Sequence, residues 1–392
     1  MSSPVSTPSS PLPPALLRSR VLSWLTVALL VYLLLVGVGA IGDGFKDLTG
    51  GNARELFAFA TNPLVALMVG MLATALTQSS STVTSIIVGM VAGGLPLTIA
   101  IPMVMGANIG TSLTSTLVSL GHVRNGPEFR RAFAAGTVHD SFNILAVFLL
   151  LPIELLFRPL ERLALASATF LRGDASLSMA DANFMKALLG PAGSALSSTV
   201  AWLPGLWAGI ALIVLGTGFI LFSVMALGKV LRVLMEGRAK EMLHTAIGRG
   251  PIAGMACGGL VTIAVQSSST TTALIVPLAG SGVIKLAQVY PFTIGANIGT
   301  TITALMAATA ISGPTAVVAM QIALVHLYFN LLGILLIFGL PVLRNIPPRV
   351  ADWLAVLAER NKLYVLSYIL GVFFVAPALV LGSTRLLFPG VI

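Results

Sequence analysis

Cysteine is nearly absent: the 392 residues contain one, Cys257. No intramolecular disulfide can form and no cysteine-based metal site can be built. Cys257 lies in an apolar, glycine-rich run and reads as a small packing residue. Charge is as scarce. Asp, Glu, Lys and Arg make up 9% of the chain, against about a quarter in a soluble domain. The acids are the rarer sign, 13 against 22 Lys and Arg, for a net charge of +9. That surplus does not read as nucleic-acid binding. With 56% hydrophobic residues and a mean hydropathy of +0.99, this is a polytopic membrane protein, whose Lys and Arg collect in cytoplasmic loops. A glycine-rich nucleotide-binding loop of the Walker type is missing, so coupling to ATP within this chain has no support and an ion gradient is left as the energy source. An enzyme needs positioned acids, bases or nucleophiles; the apolar interior offers only Asp140, His139 and His326.

What the chain does have, it has twice. Gln78-Ser79-Ser80-Ser81-Thr82 returns 188 positions later as Gln266-Ser267-Ser268-Ser269-Thr270. Gly106-Ala107-Asn108-Ile109-Gly110-Thr111 returns as Gly295-Ala296-Asn297-Ile298-Gly299-Thr300. Val138-His139-Asp140-Ser141-Phe142-Asn143 returns as Val325-His326-Leu327-Tyr328-Phe329-Asn330. Gln to Asn is 30 residues in one copy and 31 in the other, and Asn to His is 31 and 29. Three motifs in one order at nearly one spacing mark an internal duplication.

The predicted organisation is a disordered tail (1–17), a first transmembrane repeat (18–157), a connecting loop with amphipathic surface helix (158–204), a second repeat (205–340), and a charged connector with a final span (341–392). Each repeat opens with a full span, 21–41 or 205–228, then a charged segment. Next come two short apolar arms around the Gln-Ser-Ser-Ser run. Arms of about 15 residues are too short to span, which takes about 20, so each pair reads as a re-entrant hairpin. Non-helical backbone at that depth is tolerated only inside protein or beside a wet cavity. The span that follows, 95–120 or 286–310, carries two glycines beside Asn. Since Gly costs about 1 kcal/mol in a helix interior, it is expected to be a broken helix. A third span, 132–157 or 314–340, holds the His and Asn.

Three full spans per repeat is an odd number, so the second repeat enters from the opposite side. The fold class is an all-α polytopic membrane protein of two inverted repeats, an architecture of many secondary transporters. With the N-terminus cytoplasmic, the four inner segments hold 14 Lys and Arg and the outer segments seven, in the direction of the positive-inside rule.

The hairpin tips offer neutral oxygens suited to Na⁺, and N–H groups at half-helix N-termini suited to an anion. Under inverted symmetry both tips meet near the midplane together with the two Asn elements. Asp140 is a carboxylate inside an otherwise apolar span, a functional site by default; it completes a cation site, or else it pairs with Arg130 or Arg131. His139 and Asn143, like His326 and Asn330, share a helix face at a spacing of four, and hydrogen-bonding within the scaffold is their expected role. Such hydroxyl-rich sites do not by themselves choose among tetrahedral anions, and a transporter of sulfate, arsenate or a carboxylate is the alternative.

These paired motifs, with Phe129-Arg130-Arg131-Ala132-Phe133-Ala134 leading into Val138-His139-Asp140, resemble the type II sodium-dependent phosphate cotransporters over residues 55–345. The resemblance implies a symporter that takes up inorganic phosphate, preferably divalent, with several Na⁺, and no cofactor. It implies that the two Gln-Ser-Ser-Ser regions form the sites. Phosphate is then expected at Gln78, Ser79, Ser80, Ser81, Gln266, Ser267, Ser268 and Ser269. Na⁺ is expected among Gln78, Ser79, Thr82, Asn108, Thr111, Asp140, Gln266, Ser267, Thr270, Asn297 and Thr300. In that family a carboxylate after the first Val-His separates electrogenic from electroneutral members, so Asp140 implies electrogenic transport. Animal members carry a large disulfide-bonded loop between the halves; here 158–204 is short and cysteine-free, which implies a bacterial-type protein of the inner membrane.

Overall fold

The computed structural model describes residues 20–50, 62–172, 175–234 and 249–387. The predicted tail at 1–17 and parts of the two charged segments lie outside them. The first half runs α1 (Arg20–Thr49), α2 (Pro63–Thr77), α3 (Ser80–Ala92), α4 (Leu97–Thr111), α5 (Leu113–Ser119) and α6 (Gly126–Phe157). α7 (Pro159–Arg172) and α8 (Ala175–Val200) lead to the second half. That half runs α9 (Gly205–Leu234), α10 (Pro251–Val265), α11 (Ser268–Gly280), α12 (Leu286–Thr309) and α13 (Ala316–Gly333). After the short α14 (Pro341–Arg344) and the amphipathic α15 (Ile346–Arg360), α16 (Leu363–Leu370) and α17 (Ala376–Leu387) are joined by a π turn at Gly371–Val375. No strand occurs among the described residues.

Among the described residues, six helices are long and apolar enough to cross a membrane: Val21–Thr49, Leu97–His122, Gly126–Phe157, Gly205–Leu234, Gly313–Phe338 and Leu363–Ser383. α12 has the length, 24 residues, but carries Thr293, Asn297, Thr300, Thr301 and Thr303, all buried. Large apolar side chains such as Trp24, Leu29, Phe148, Phe222 and Met225 are exposed, while serines and threonines are packed inside. That is the distribution of a protein whose outer solvent is lipid. The chain is an integral multi-pass membrane protein.

α1 does not stop at residue 41. It continues into the charged segment that follows, as far as Thr49, and its glycines seat it on α9. A Cβ on Gly37 would meet the Gly216 carbonyl, and one on Gly44 the Gly209 carbonyl. Rising numbers on α1 thus face falling numbers on α9, so these two counterpart helices pack antiparallel.

The two apolar arms of each hairpin are helices, α2 with α3 and α10 with α11, each of 13 or 15 residues. The expected break at Gly106–Gly110 and Gly295–Gly299 is not there. Both runs lie within continuous helix, and α12 is uninterrupted; in the first copy the helix breaks later, at Ser112. The glycines serve packing. Gly106 lies against the Leu67 carbonyl and Gly110 against that of Met71, so α2 and α4 run parallel with backbones nearly touching. Gly295 and Gly299 seat α12 on Met255 and Gly259 of α10 in the same way. The helix-propensity cost is a surface value for Gly; at a membrane helix interface close approach outweighs it. Gly106→Ala drives a Cβ into backbone, which cannot rotate aside. It should lower the melting temperature by the equivalent of about 1–3 kcal/mol. Gly39→Ala, where a Cβ meets nothing within 4 Å, should leave it unchanged or raised.

Candidate functional site

The two Gln-Ser-Ser-Ser runs fold into the same turn. Gln78 and Gln266 both have φ 55°, the left-handed region, and end α2 and α10. A non-glycine residue pays about 1–2 kcal/mol there, and the side-chain amide offsets it. Gln78 Nε2 donates to the Ala75 carbonyl at 2.6 Å and Oε1 accepts from Thr114 Oγ1 at 2.6 Å. Gln266 Nε2 donates to the Ile263 carbonyl at 2.8 Å and Oε1 accepts from Thr303 Oγ1 at 2.9 Å. Ser79 and Ser267 follow in extended backbone and cap the next helix, accepting from the N–H of Thr82 at 3.2 Å and of Thr270 at 3.1 Å.

Those caps leave the N–H groups of Ser80 and Ser81, and of Ser268 and Ser269, in the first turns of α3 and α11, where no carbonyl lies one turn back. No described residue accepts from them. The side chains of Ser80, Ser81, Ser268 and Ser269 are buried. The tips meet: Ser269 Oγ donates to the Gln78 carbonyl at 3.4 Å. The two tips thus touch, and each brings a helix N-terminus with two uncommitted N–H groups and buried serine hydroxyls, a donor-rich, partly positive environment that suits an anion.

A cation also stands there. Arg232, at the end of α9, donates to Thr270 Oγ1 at 3.1 Å. From sequence it belonged to a charged connector; only the packing of α9 against α10 brings it to the tip. Thr270, an expected Na⁺ ligand, already has a guanidinium on its hydroxyl, whereas Thr82 Oγ1 donates to Ser79 Oγ at 2.9 Å.

Asp140 pairs with neither arginine. Arg130 is bonded to Asp352 at 3.1 Å and Arg131 Nε donates to the Gly280 carbonyl at 2.8 Å. Asp140 Oδ2 instead accepts from Thr116 Oγ1 at 3.0 Å and from the Tyr368 hydroxyl at 2.9 Å. Oδ1 is buried without a partner. Thr116 belongs to a run of buried hydroxyls, Ser112 just before α5 and Ser115, Thr116 and Ser119 within it, which reaches Asp140 because Gly136 lets α5 approach α6 closely. A carboxylate among neutral oxygens, with one oxygen vacant, suits a small hard cation. Glu154 on α6 is also buried, but its two oxygens accept the Leu160 and Glu161 N–H groups and cap α7.

The His and Asn residues are not symmetric. His139 Nε2 meets Asn297 Oδ1 at 2.6 Å, Asn297 Nδ2 donates to Asn143 Oδ1 at 2.7 Å, and Asn143 Nδ2 donates to the Asn108 carbonyl at 2.8 Å. Asn297, expected near Na⁺, is thus committed to the scaffold in this arrangement. Asn108 donates only to Val104 in its own helix, and Asn330 to the His326 carbonyl. Thr111 and Thr300 likewise donate within their helices, to Ala107 and Ala296, and their oxygens keep lone pairs for a ligand. Among the described residues there is no cluster of His, Cys, Asp or Glu of metal-binding size.

The model of the Na⁺/Pi-cotransporter family matches residues 33–162 and 219–346, one block in each half. Sodium-dependent phosphate transport protein 2A of Rattus norvegicus is 33% identical over 421 residues, covering 90% of this chain and 66% of the relative. The 2A protein of Oryctolagus cuniculus is 33% identical over 440 residues, 93% and 68% of the two chains. Sodium-dependent phosphate transport protein 2B of Homo sapiens is 32% identical over 442 residues, 90% and 64%. The chain thus spans about two thirds of the length of these relatives. No solved structure matches it. With both halves matched and the paired motifs inside the matched blocks, this chain belongs to the Na⁺/Pi-cotransporter family.

Proposed function

We propose that the chain is an electrogenic Na⁺/phosphate symporter of the bacterial inner membrane that works by alternating access. The names of its relatives and its family support the substrate and the ion. The observation that carries the site is the contact between two identical Gln-Ser-Ser-Ser turns. Phosphate is held by the N–H groups and hydroxyls of Ser80, Ser81, Ser268 and Ser269 with the Gln78 and Gln266 turns, and Arg232 adds charge at one side. Such hydrogen bonds capture a dianion without a buried permanent clamp, which favours release as well as binding.

Na⁺ occupies oxygens beside the tips, Gln78, Ser79, Gln266, Ser267, Thr111 and Thr300, and the vacant oxygen of Asp140. Cation binding there offsets the charge of phosphate. The antiparallel packing of α1 and α9 supports two inverted repeats related by an in-plane two-fold axis. Arg130, Arg131, Lys285 and Asp352 line one cavity; they come from three segments that a cytoplasmic N-terminus puts on the same, inner side.

The test is uptake of radiolabelled phosphate into proteoliposomes under an inward Na⁺ gradient, against an equal K⁺ gradient, with sulfate as competitor. Uptake that needs Na⁺ and ignores sulfate is expected. Equal uptake in K⁺ would remove Na⁺ coupling, and strong sulfate competition would favour a broader oxyanion carrier. Within the Na⁺ site, Tyr368→Phe removes one hydrogen bond to a carboxylate and should raise the half-saturating Na⁺ concentration about three- to tenfold. Maximal uptake should stay near wild type; an unchanged Na⁺ dependence would take Tyr368 out of the site.

A further inference from the structure

The duplicated His and Asn residues form one network of a pair and leave the other unmade. His139, Asn297 and Asn143 are joined across the repeats, two residues from the first half gripping an Asn from the second. The counterpart trio, with repeats exchanged, is His326, Asn108 and Asn330. α13, which carries two of them, packs against α4, which carries the third, as α6 packs against α12. Yet none of the equivalent bonds exists. Both ring nitrogens of His326 and Oδ1 of Asn330 are buried with no partner. The Asn108 amide turns back to Val104 and the Asn330 amide to His326. No hydrogen bond among the described residues ends on Asn108 Oδ1.

Both histidines and Asn143 are fully buried, and Asn330 is 1% exposed. Buried polar atoms without partners are costly and rare, so three from one constellation call for a reason. A duplicated constellation bonded across the repeats in one copy, where only His139 Nδ1 lacks a partner, and unbonded across them in the other is what two exchanging states leave behind when one of them is seen.

We infer that the two trios are alternating latches: His139–Asn297–Asn143 holds the present access state, and His326–Asn108–Asn330 closes in the opposite one as the first opens. These are positioning residues of the transport cycle, not ligands of the cargo. The inference rests on the alternating-access reading. Breaking a bond made in one state only shifts the equilibrium by the whole of that bond. Loss of the closed latch therefore favours the other state, and loss of the open latch traps the present one. Asn330→Ala removes an amide that does nothing across the repeats here, so this state should tolerate it, whereas Asn143→Ala breaks two bonds.

The experiment uses the full chain in liposomes with Cys257 replaced by alanine and Thr77, exposed beside the first tip, replaced by cysteine. Labelling by a membrane-impermeant thiol reagent is timed in K⁺ medium, so that any role of these residues as Na⁺ ligands plays no part. Asn143→Ala and Asn330→Ala should change the rate in opposite directions, each by about tenfold. The double variant should return close to the starting rate. His139→Gln and His326→Gln repeat the test with gentler changes should Asn143→Ala fail to fold. An unchanged rate in Asn330→Ala and His326→Gln, or shifts of both latches in one direction, would overturn the inference. Phosphate uptake measured in the same vesicles separates the two failures. Intact Na⁺-driven uptake without opposite shifts removes the latches alone; opposite shifts without phosphate uptake keep the latches and remove phosphate as the cargo.

Discussion

Gln266→Ala is expected to cut Na⁺-dependent phosphate uptake on the order of 100-fold while the protein still reaches the membrane. The magnitude follows from the tip. The amide makes two bonds, to the Ile263 carbonyl and from Thr303 Oγ1, each worth about 0.5–1.5 kcal/mol or more when a buried partner is left unmet. Without them a non-glycine residue at φ 55° has little reason to stay left-handed, and the first turn of α11 loses its aim. Gln266→Gly separates the two contributions. Glycine adopts that backbone freely, so a Gly variant as inactive as the Ala variant assigns the effect to the amide, and restored uptake assigns it to the turn.

Ser268→Ala deletes only a hydroxyl and keeps the N–H, so a smaller loss of about tenfold is expected, as for one hydrogen bond to a charged ligand. Near-wild-type uptake in both Gln266→Ala and Ser268→Ala would sink the assignment of the phosphate site. Initial uptake rates in proteoliposomes, normalised to reconstituted protein, decide it.

Asp140→Gly should abolish, or reduce about tenfold, the charge moved per phosphate while a measurable flux persists. The reason is electrostatic. The carboxylate is the one acidic group at this site, its Oδ2 is held by Thr116 and Tyr368, and its Oδ1 is buried and unmet. In the proposed site a cation on Oδ1 would satisfy it, and removing the carboxylate would remove that cation together with the charge it carries through the field. Asp140→Asn keeps the shape and tests charge alone. The measurement is current and radiolabelled flux on the same membranes under an imposed potential. A charge-to-phosphate ratio equal to wild type in both variants would take Asp140 out of coupling and leave it a structural residue.

Much of this protein is written in local sequence. The membrane environment follows from composition, since 9% charge cannot clothe a soluble surface. The duplication follows from three motifs at matched spacing, and it carries a detailed consequence: Gln78 and Gln266 adopt the same left-handed turn, and Ser79 and Ser267 the same cap. Identical short-range chemistry gives identical backbone, because a cap and an amide bond three residues back need nothing from afar. The polarity of Asp140 in an apolar span marked it for the same reason.

Tertiary structure decided everything that depends on which surfaces touch. The glycines around Asn108 and Asn297 looked like helix breaks because propensity is a property of one helix; they are contact points because a second helix lies on them. Tyr368 sits in a span outside the repeat and had no internal counterpart to draw attention to it, yet it reaches Asp140 across 228 residues of sequence. Arg232 was one of five basic residues in 229–249 until α9 set it beside Thr270. The inequality of the two His–Asn trios is the furthest from local sequence. The His and Asn residues are the same in both copies, so the difference comes from what the tertiary structure packs around each trio and not from the motif itself.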